Sequence, residues 1–166
     1  IKLGKYAAAR GIRMGTTVAA ILIVGGKYYI MNVGDSRVYM LTDRLVLLTK
    51  DQTFVQYEMD SGRMTPEEAA VHPQRNVLLQ CVGASDSVTP DFFTGDAMEN
   101  TVFMLCSDGF RHVITEQEIY EKLNPYVLTD ERQMRDNAAW LTELNKQRME
   151  VDNISAALVK ICQEAG

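Results

Sequence analysis

The sequence is poor in several residue types, and each shortage argues against a class of protein. It contains three cysteines, two histidines and one tryptophan in 166 residues, with no Cys-x-x-Cys pair. A tetrahedral zinc site and a disulfide framework are therefore both disfavoured. Cys81, Cys106 and Cys162 all lie in apolar surroundings along the chain, and we interpret them as reduced core residues. That pattern is typical of a reducing compartment and favours a cytoplasmic protein.

Long apolar runs and basic stripes are also missing. The longest apolar run covers residues 18–24, far fewer than the roughly 20 residues that a helix needs to cross a bilayer. The net charge is −5 and no basic cluster appears, so we expect no nucleic-acid partner and no membrane span in this chain. With 46% apolar and 23% charged residues, residues 1–166 have the composition of a single globular domain with a sizeable core.

Short β-rich runs are clustered along the chain rather than alternating one for one with helices. This pattern predicts an α+β fold in which antiparallel sheets carry helices on the outside. We expect the first four strands to form an antiparallel meander, and residues 18–24 to be buried on both faces. The pattern gives roughly eight strands and four main helices. The predicted strands are 18–24, 27–33, 36–42, 45–49, 76–82, 89–93, 101–106 and 153–162, and the predicted helices are 51–61, 65–72, 115–123 and 130–149.

Three aspartates stand at junctions between a predicted strand and a turn. Asp35, Asp108 and Asp152 each have an apolar run on one side and a small or polar residue on the other. For any one of them, a carboxylate that caps a turn is an equally good interpretation. If the strands lie side by side, the three carboxylates meet at one sheet edge and repel one another. A divalent cation removes that repulsion, and hard oxygen ligands suit Mg²⁺ or Mn²⁺.

The order of short motifs along the chain resembles that of the metal-dependent serine/threonine phosphatases of the type 2C family, in their bacterial form. Six motifs occur in the order of the family and cover nearly the whole chain, which is far more specific than any one of them. They are Met14-Gly15-Thr16-Thr17, Asn32-Val33-Gly34-Asp35-Ser36-Arg37, Leu48-Thr49-Lys50-Asp51, His72-Pro73-Gln74-Arg75-Asn76-Val77-Leu78, Leu105-Cys106-Ser107-Asp108-Gly109 and Asp152-Asn153-Ile154-Ser155.

The resemblance implies a sandwich of two stacked antiparallel β-sheets flanked by α-helices, with a Mg²⁺ or Mn²⁺ centre at one end. Asp108 and Asp152 would be the catalytic carboxylates that hold the main two-ion site, and Asp35 and Asp108 would hold a third, more loosely bound ion. The implied reaction is attack of a metal-activated water on phosphoserine or phosphothreonine in proteins, without a phosphoenzyme. The implied partners are phosphoproteins, an opposing Ser/Thr kinase and its substrates. Residues 53–76 would form a mobile flap beside the site.

Lesser roles follow for several neighbouring residues. Arg37, Thr16 and Asn153 would lie on the substrate side of the site or next to its ligands. For Arg37, an ion pair with a nearby Asp is favoured over a phosphate contact. His112 follows Asp108 by four positions, so a role as an acid is an alternative to a surface position.

The sequence also departs from the family. Two further family motifs should precede Met14, one of them an Asp-Gly whose Asp bridges both metals, yet residues 1–13 contain no Asp or Glu. The chain therefore resembles the C-terminal portion of a catalytic domain truncated at its N-terminus, and we expect the fragment itself to be weakly active or inactive. Smaller departures are Gln52-Thr53 in place of His-Ser and Phe110 in place of Leu.

Two alternatives to an enzyme remain at this point. One is a non-catalytic pseudophosphatase or regulatory binding module of the same fold. The other is a phosphatase-like regulator of transcription or sporulation.

Overall fold

The computed structural model describes residues 2–162, which form two antiparallel sheets with helices around them. This is the α+β sandwich expected from the sequence. No helix within residues 2–162 is long and apolar enough to cross a bilayer. In chain order the elements are α1 Lys2–Ala8, β1 Val18–Val24, β2 Lys27–Val33, β3 Arg37–Leu41, β4 Leu45–Leu47, α2 Phe54–Asp60, α3 Pro66–Val71, β5 Asp91–Asp96, β6 Thr101–Cys106, α4 Asp108–Arg111, α5 Glu116–Leu123, α6 Glu131–Gln147 and β7 Ala156–Ile161.

The core lies in two layers, one between the sheets and one beneath the helices. The sheets have strand orders β1-β2-β5 and β4-β3-β6-β7. Between them, the ring of Tyr28 meets that of Phe103 edge to face with centroids 5.3 Å apart. On the other face of the four-stranded sheet, Met104 packs with Leu123 of α5 and Leu141 of α6, and all three are buried. The four-stranded sheet is therefore covered on both faces, which makes it a rigid support for its strand ends.

The predicted four-stranded meander is wrong, because the chain changes sheet after β2. Gly25 and Gly26 have positive φ values of 58° and 70°, which suit the tight two-residue turn of the β1–β2 hairpin. The next connection does not make a second hairpin in the same sheet. Gly34, with φ of 104°, turns the chain across to the other sheet, where β3 pairs with β4 and β6.

Two further expectations about strands are also corrected. Strand β1 is not buried on both faces, because it lies at the edge of its sheet and leaves Leu22 and Val24 exposed. Residues 76–82 form no strand. They make only isolated pairings of Leu78 with Thr53 and of Val82 with Thr16. Residues 2–162 thus contain seven strands and six helices, rather than eight and four.

The helix starts follow the capping residues in the sequence. Thr65 and Thr115 each form a capping box with the Glu three positions later, as the sequence pattern predicts. Helix α2 begins later than the predicted Asp51 because Thr53 is its N-cap, while Asp51 is held by an ion pair with Arg37.

The cysteines differ more than the sequence suggested. Cys106 is buried as expected, and burial raises the pKa of its thiol to about 11. Cys81 is only partly buried and Cys162 is exposed, although all three are free thiols. Cys162 is exposed because β7 ends at Ile161, so its side chain lies beyond the sheet.

These environments lead us to expect unequal thiol reactivity. At pH 8, a thiol with a pKa of about 11 is ionised to only about one part in a thousand, and the thiolate is the reactive form. In the folded chain Cys162 should react rapidly with Ellman's reagent, while Cys106 should react only after denaturation. A Cys162→Ser variant should lose the fast phase, and fast labelling of Cys106 in folded protein would contradict its burial.

Candidate metal centre

The three aspartates named from the sequence lie at one end of the four-stranded sheet. Strands β3, β6 and β7 are adjacent, and Cys106 at the end of β6 lies opposite the first residue of β3 and the first residue of β7. Asp35 just precedes β3, Asp108 follows β6, and Asp152 lies in the loop before β7. Antiparallel pairing therefore brings segments that are distant in sequence to the same sheet edge.

Asp35 and Asp108 share one cavity. It has a volume of about 400 Å³, and its lining includes both carboxylates together with Asp51 and Arg111. Burial raises the pKa of Asp35, as do the neighbouring carboxylates Asp108 and Asp51, while Arg111 opposes the rise. Mutually repelling carboxylates of this kind are what a divalent cation stabilises. We call this space the carboxylate cavity.

Asp152 lies close to the start of α4, next to Asp108, because residue 109 is a glycine. A Cβ atom added to Gly109 would lie 3.1 Å from the Cβ of Asp152 and 2.7 Å from the carbonyl oxygen of Asn153. The missing side chain at Gly109 therefore lets the Asp152 loop lie directly against the start of α4. Asp152 lines an adjoining cavity of about 670 Å³, which shares His112 and Arg75 with the carboxylate cavity.

Ser107 joins the end of β6 to the loop that carries Asp152. Its hydroxyl donates to the carbonyl of Asn153 at 3.0 Å and accepts from the N–H of Ser155 at 3.1 Å. Its own N–H donates to the carbonyl of Ser155 at 3.0 Å. Ser107 thus fixes the spacing between two candidate ligand segments.

Glu150 is a functional candidate that sequence reasoning missed. One carboxylate oxygen accepts from the N–H groups of Val151 and Asp152 at 2.9 and 2.8 Å. The other lies 3.4 Å from Nδ1 of His112, whose Nε2 lies 3.8 Å from Oδ2 of Asp108. Glu150 and His112 therefore connect the two ligand segments. The only sequence signal was an acidic residue two positions before Asp152, which is too common to be informative.

Arg37 forms a structural ion pair with Asp51. Its Nε and Nη2 donate to the two carboxylate oxygens of Asp51 at 2.9 and 2.8 Å, and its Nη1 donates to the Tyr39 hydroxyl at 3.0 Å. The ion-pair interpretation of Arg37 is confirmed. This two-pronged geometry is the strong form of the Arg–carboxylate contact.

The structure brings Asn153 next to Asp152 but does not include Thr16 in the lining of either cavity. The Thr16 hydroxyl donates to the carbonyl of Thr17 at 3.1 Å, and its backbone pairs with Val82. Asn153 donates its N–H to Oδ1 of Asp152 at 2.7 Å. The Asn153 contact orients the Asp152 carboxylate.

The candidate ligands suit a hard divalent cation. They form pairs of carboxylates, however, and not a complete coordination site. Asp35 with Asp108, and Asp108 across Gly109 from Asp152, supply the oxygen ligands that Mg²⁺ and Mn²⁺ prefer. Within residues 2–162, no three His, Cys, Asp or Glu side chains are grouped closely enough to hold a metal ion by themselves. An ion bound here would take further oxygen ligands from water or from other parts of a protein.

Two proteins that this chain resembles in sequence are both protein phosphatases. No family model matches the chain. It is 41% identical over 111 residues to the serine/threonine protein phosphatase PstP of Mycobacterium tuberculosis, covering 66% of this chain and 21% of that protein. It is 32% identical over 164 residues to the protein phosphatase PhpP of Streptococcus pneumoniae, covering 98% of this chain and 64% of that protein. The chain thus spans less than two thirds of the length of these curated relatives.

Solved structures agree with the sequence relatives. The M. tuberculosis serine/threonine phosphatase PstP/Ppp superimposes with a TM-score of 0.84 at 32% identity, covering 98% of this chain and 67% of that one. The catalytic domain of PstP in complex with two manganese ions superimposes with a TM-score of 0.80 at 29% identity, covering 98% of this chain and 66% of that one.

Two stacked antiparallel sheets with carboxylates gathered at the ends of adjacent strands define the metal-dependent phosphatase class of fold. With the identity and coverage above, the chain belongs to the type 2C family of serine/threonine protein phosphatases, among its bacterial members. The family resemblance of the six motifs is confirmed.

Proposed function

We propose that this chain forms the greater part of the catalytic domain of a protein serine/threonine phosphatase that hydrolyses phosphoserine and phosphothreonine with Mn²⁺ or Mg²⁺. The observation that carries the proposal is the placement of Asp35, Asp108 and Asp152 at the ends of three adjacent strands. Relatives named as serine/threonine phosphatases and a two-manganese structural neighbour support it.

The proposed roles follow the pairing of the carboxylates. Asp108 and Asp152 would hold the main pair of ions, and Asp35 with Asp108 would hold a third and weaker one. Bound Mn²⁺ or Mg²⁺ would supply a water of lowered pKa and would neutralise charge on the phosphoryl group. Ser107 and Glu150 would hold the Asp152 loop at a fixed position relative to Asp108, which would keep the spacing of the two carboxylates constant.

We propose that residues 53–76 act as the flap. Helices α2 and α3 contribute Val55, Gln56 and Ala69 to the lining of the carboxylate cavity. The rings of Phe54 and His72 lie 5.7 Å apart, so the two helices are joined near the ends of the segment. In the cell the substrates would be cytoplasmic phosphoproteins, and the phosphatase would reverse their phosphorylation by a Ser/Thr kinase.

The test is phosphate release from a phosphothreonine peptide in Mn²⁺, measured on the 166-residue chain and on the chain preceded by its upstream coding sequence. The longer protein should release phosphate, and EDTA should abolish the release. The shorter chain should be slow, because its carboxylates form pairs rather than a complete ligand set.

The absence of a complete ligand set within residues 2–162 also favours one alternative, a non-catalytic binding module. No metal-dependent release from well-folded longer protein would contradict the phosphatase proposal. Capture of a phosphopeptide without turnover would then support the module.

A further inference from the structure

Arg111 lies inside the carboxylate cavity without a role in the reaction proposed above. It is the last residue of α4, and only 16% of its side chain is exposed. Its Nη2 lies 3.4 Å from Oδ2 of Asp51 and 3.5 Å from the carbonyl oxygen of Asp35. Its Nε is buried and has no hydrogen-bond partner among residues 2–162. The guanidinium is therefore held among the carboxylates rather than in solvent.

Asp51 does not neutralise the positive charge of Arg111. Asp51 already receives two short hydrogen bonds from Arg37, at 2.9 and 2.8 Å, whereas its contact with Arg111 is longer, at 3.4 Å. Arg37 therefore neutralises Asp51. The charge of Arg111 is left to act on Asp35, whose carbonyl oxygen it contacts, and on Asp108, which lines the same cavity.

Arg111 is also badly placed to receive a substrate phosphate. Its Nε is sealed from solvent, and its Nη2 already faces two protein oxygens. The lining of the same cavity also includes Arg75, which is exposed. An incoming anion would meet Arg75 without displacing any of these contacts. The contacts of Arg111 point to an effect on cations, not on anions.

We propose that Arg111 is a built-in positive charge that weakens divalent-cation binding at the Asp35–Asp108 pair, and so makes this the weak ion site of the chain. The inference rests on the proposed metal centre. With Arg111 present, the pair offers a cation a net charge of −1 instead of −2. Because charges interact strongly over a few ångströms in a partly buried site, removing Arg111 should strengthen Mn²⁺ binding there at least tenfold.

The test is Mn²⁺ titration of the 166-residue chain, followed by the electron paramagnetic resonance signal of free Mn²⁺. An Asp152→Asn background isolates the Asp35–Asp108 pair from the main site. In that background, Arg111→Gln should lower the Mn²⁺ dissociation constant at least tenfold. Arg75→Gln is the matched control, since it removes an arginine from the same cavity that makes no such contact. It should change the constant less than threefold.

Further variants test whether the charge of Arg111, and not another property of its side chain, sets the Mn²⁺ affinity. Arg111→Met, which fills the same space without charge, should tighten binding as Arg111→Gln does, and circular dichroism establishes which of the two folds. Arg111→Lys, which keeps the charge, should leave the affinity weak. Unchanged or weaker binding in a folded, uncharged variant overturns the inference.

The same titrations separate this inference from the proposed function. If Asp108→Asn leaves Mn²⁺ binding by the otherwise unaltered chain intact, the metal centre itself is wrong. If Asp108→Asn removes binding and no Arg111 variant tightens it, only the role of Arg111 is wrong.

Discussion

An Asp108→Asn variant of the phosphatase proposed above is expected to release phosphate at least a thousandfold more slowly in Mn²⁺, a loss of about 4 kcal/mol in transition-state stabilisation. The physical reason is that Asp108 belongs to both of the carboxylate pairs that are proposed to bind metal ions. It lies in the carboxylate cavity with Asp35 and across Gly109 from Asp152. Asparagine keeps the size of the side chain but removes the charge that a divalent ion requires.

The measurement is phosphate release across a range of Mn²⁺ concentrations, so that lost affinity is separated from lost rate. Asp96→Asn is the matched control. Asp96 is a carboxylate at the end of β5 that pairs with Lys27 on the surface, and its side chain is 74% exposed. A surface ion pair of that kind contributes little, so the control should keep its activity. Full activity of Asp108→Asn at ordinary Mn²⁺ concentrations would remove Asp108 from the site.

The part of the site that sequence could predict is the part that depends on where strands end. The run before Asp108 and the run after Asp152 are apolar and of strand length, and the structure has β6 ending at Cys106 and β7 starting at Ala156. Such boundaries are visible because apolar runs and turn residues are local properties of the chain. Three such boundaries were enough to point to one sheet edge.

The change of sheet after β2 could not be predicted in the same way. Strands β1 to β4 follow one another with short connections, which is the ordinary pattern of a meander. Which sheet a strand joins depends on its side-chain partners elsewhere. Val38 of β3 packs with Phe103 of β6 and with Tyr28 of the opposite sheet. No short window of sequence contains that information.

The residues around the candidate ligands were missed for a related reason. Ser107 contacts Asn153 across 46 positions, and Arg111 contacts Asp35 across 76. Their effect on the site comes entirely from the fold that brings them together. A hydroxyl, a carboxylate or a guanidinium at such a position has no local pattern to distinguish it from a surface residue.

Gly109→Ala is expected to lower the activity of the longer protein at least a hundredfold and to weaken Mn²⁺ binding, while the chain remains folded. Helix propensity alone predicts the opposite sign for stability, since alanine is favoured over glycine by about 1 kcal/mol within a helix. The added Cβ would lie 2.7 Å from the carbonyl oxygen of Asn153 and 3.1 Å from the Cβ of Asp152. A backbone carbonyl cannot rotate away as a side chain can, so the loop that carries Asp152 must move.

That displacement is what makes the effect large. A shift of about 1 Å in a catalytic group can cost about a hundredfold in rate, and Asp152 would move away from Asp108. Gly26→Ala is the matched control, because it adds the same methyl group at a glycine of the β1–β2 turn with φ of 70°, where the added Cβ would meet no atom within 4 Å apart from its chain neighbours. It should lower the free energy of unfolding by about 1 kcal/mol through backbone strain and leave Mn²⁺ affinity unchanged. If Gly109→Ala also changed only stability, the close approach of the Asp152 loop to α4 would have no part in forming the metal centre.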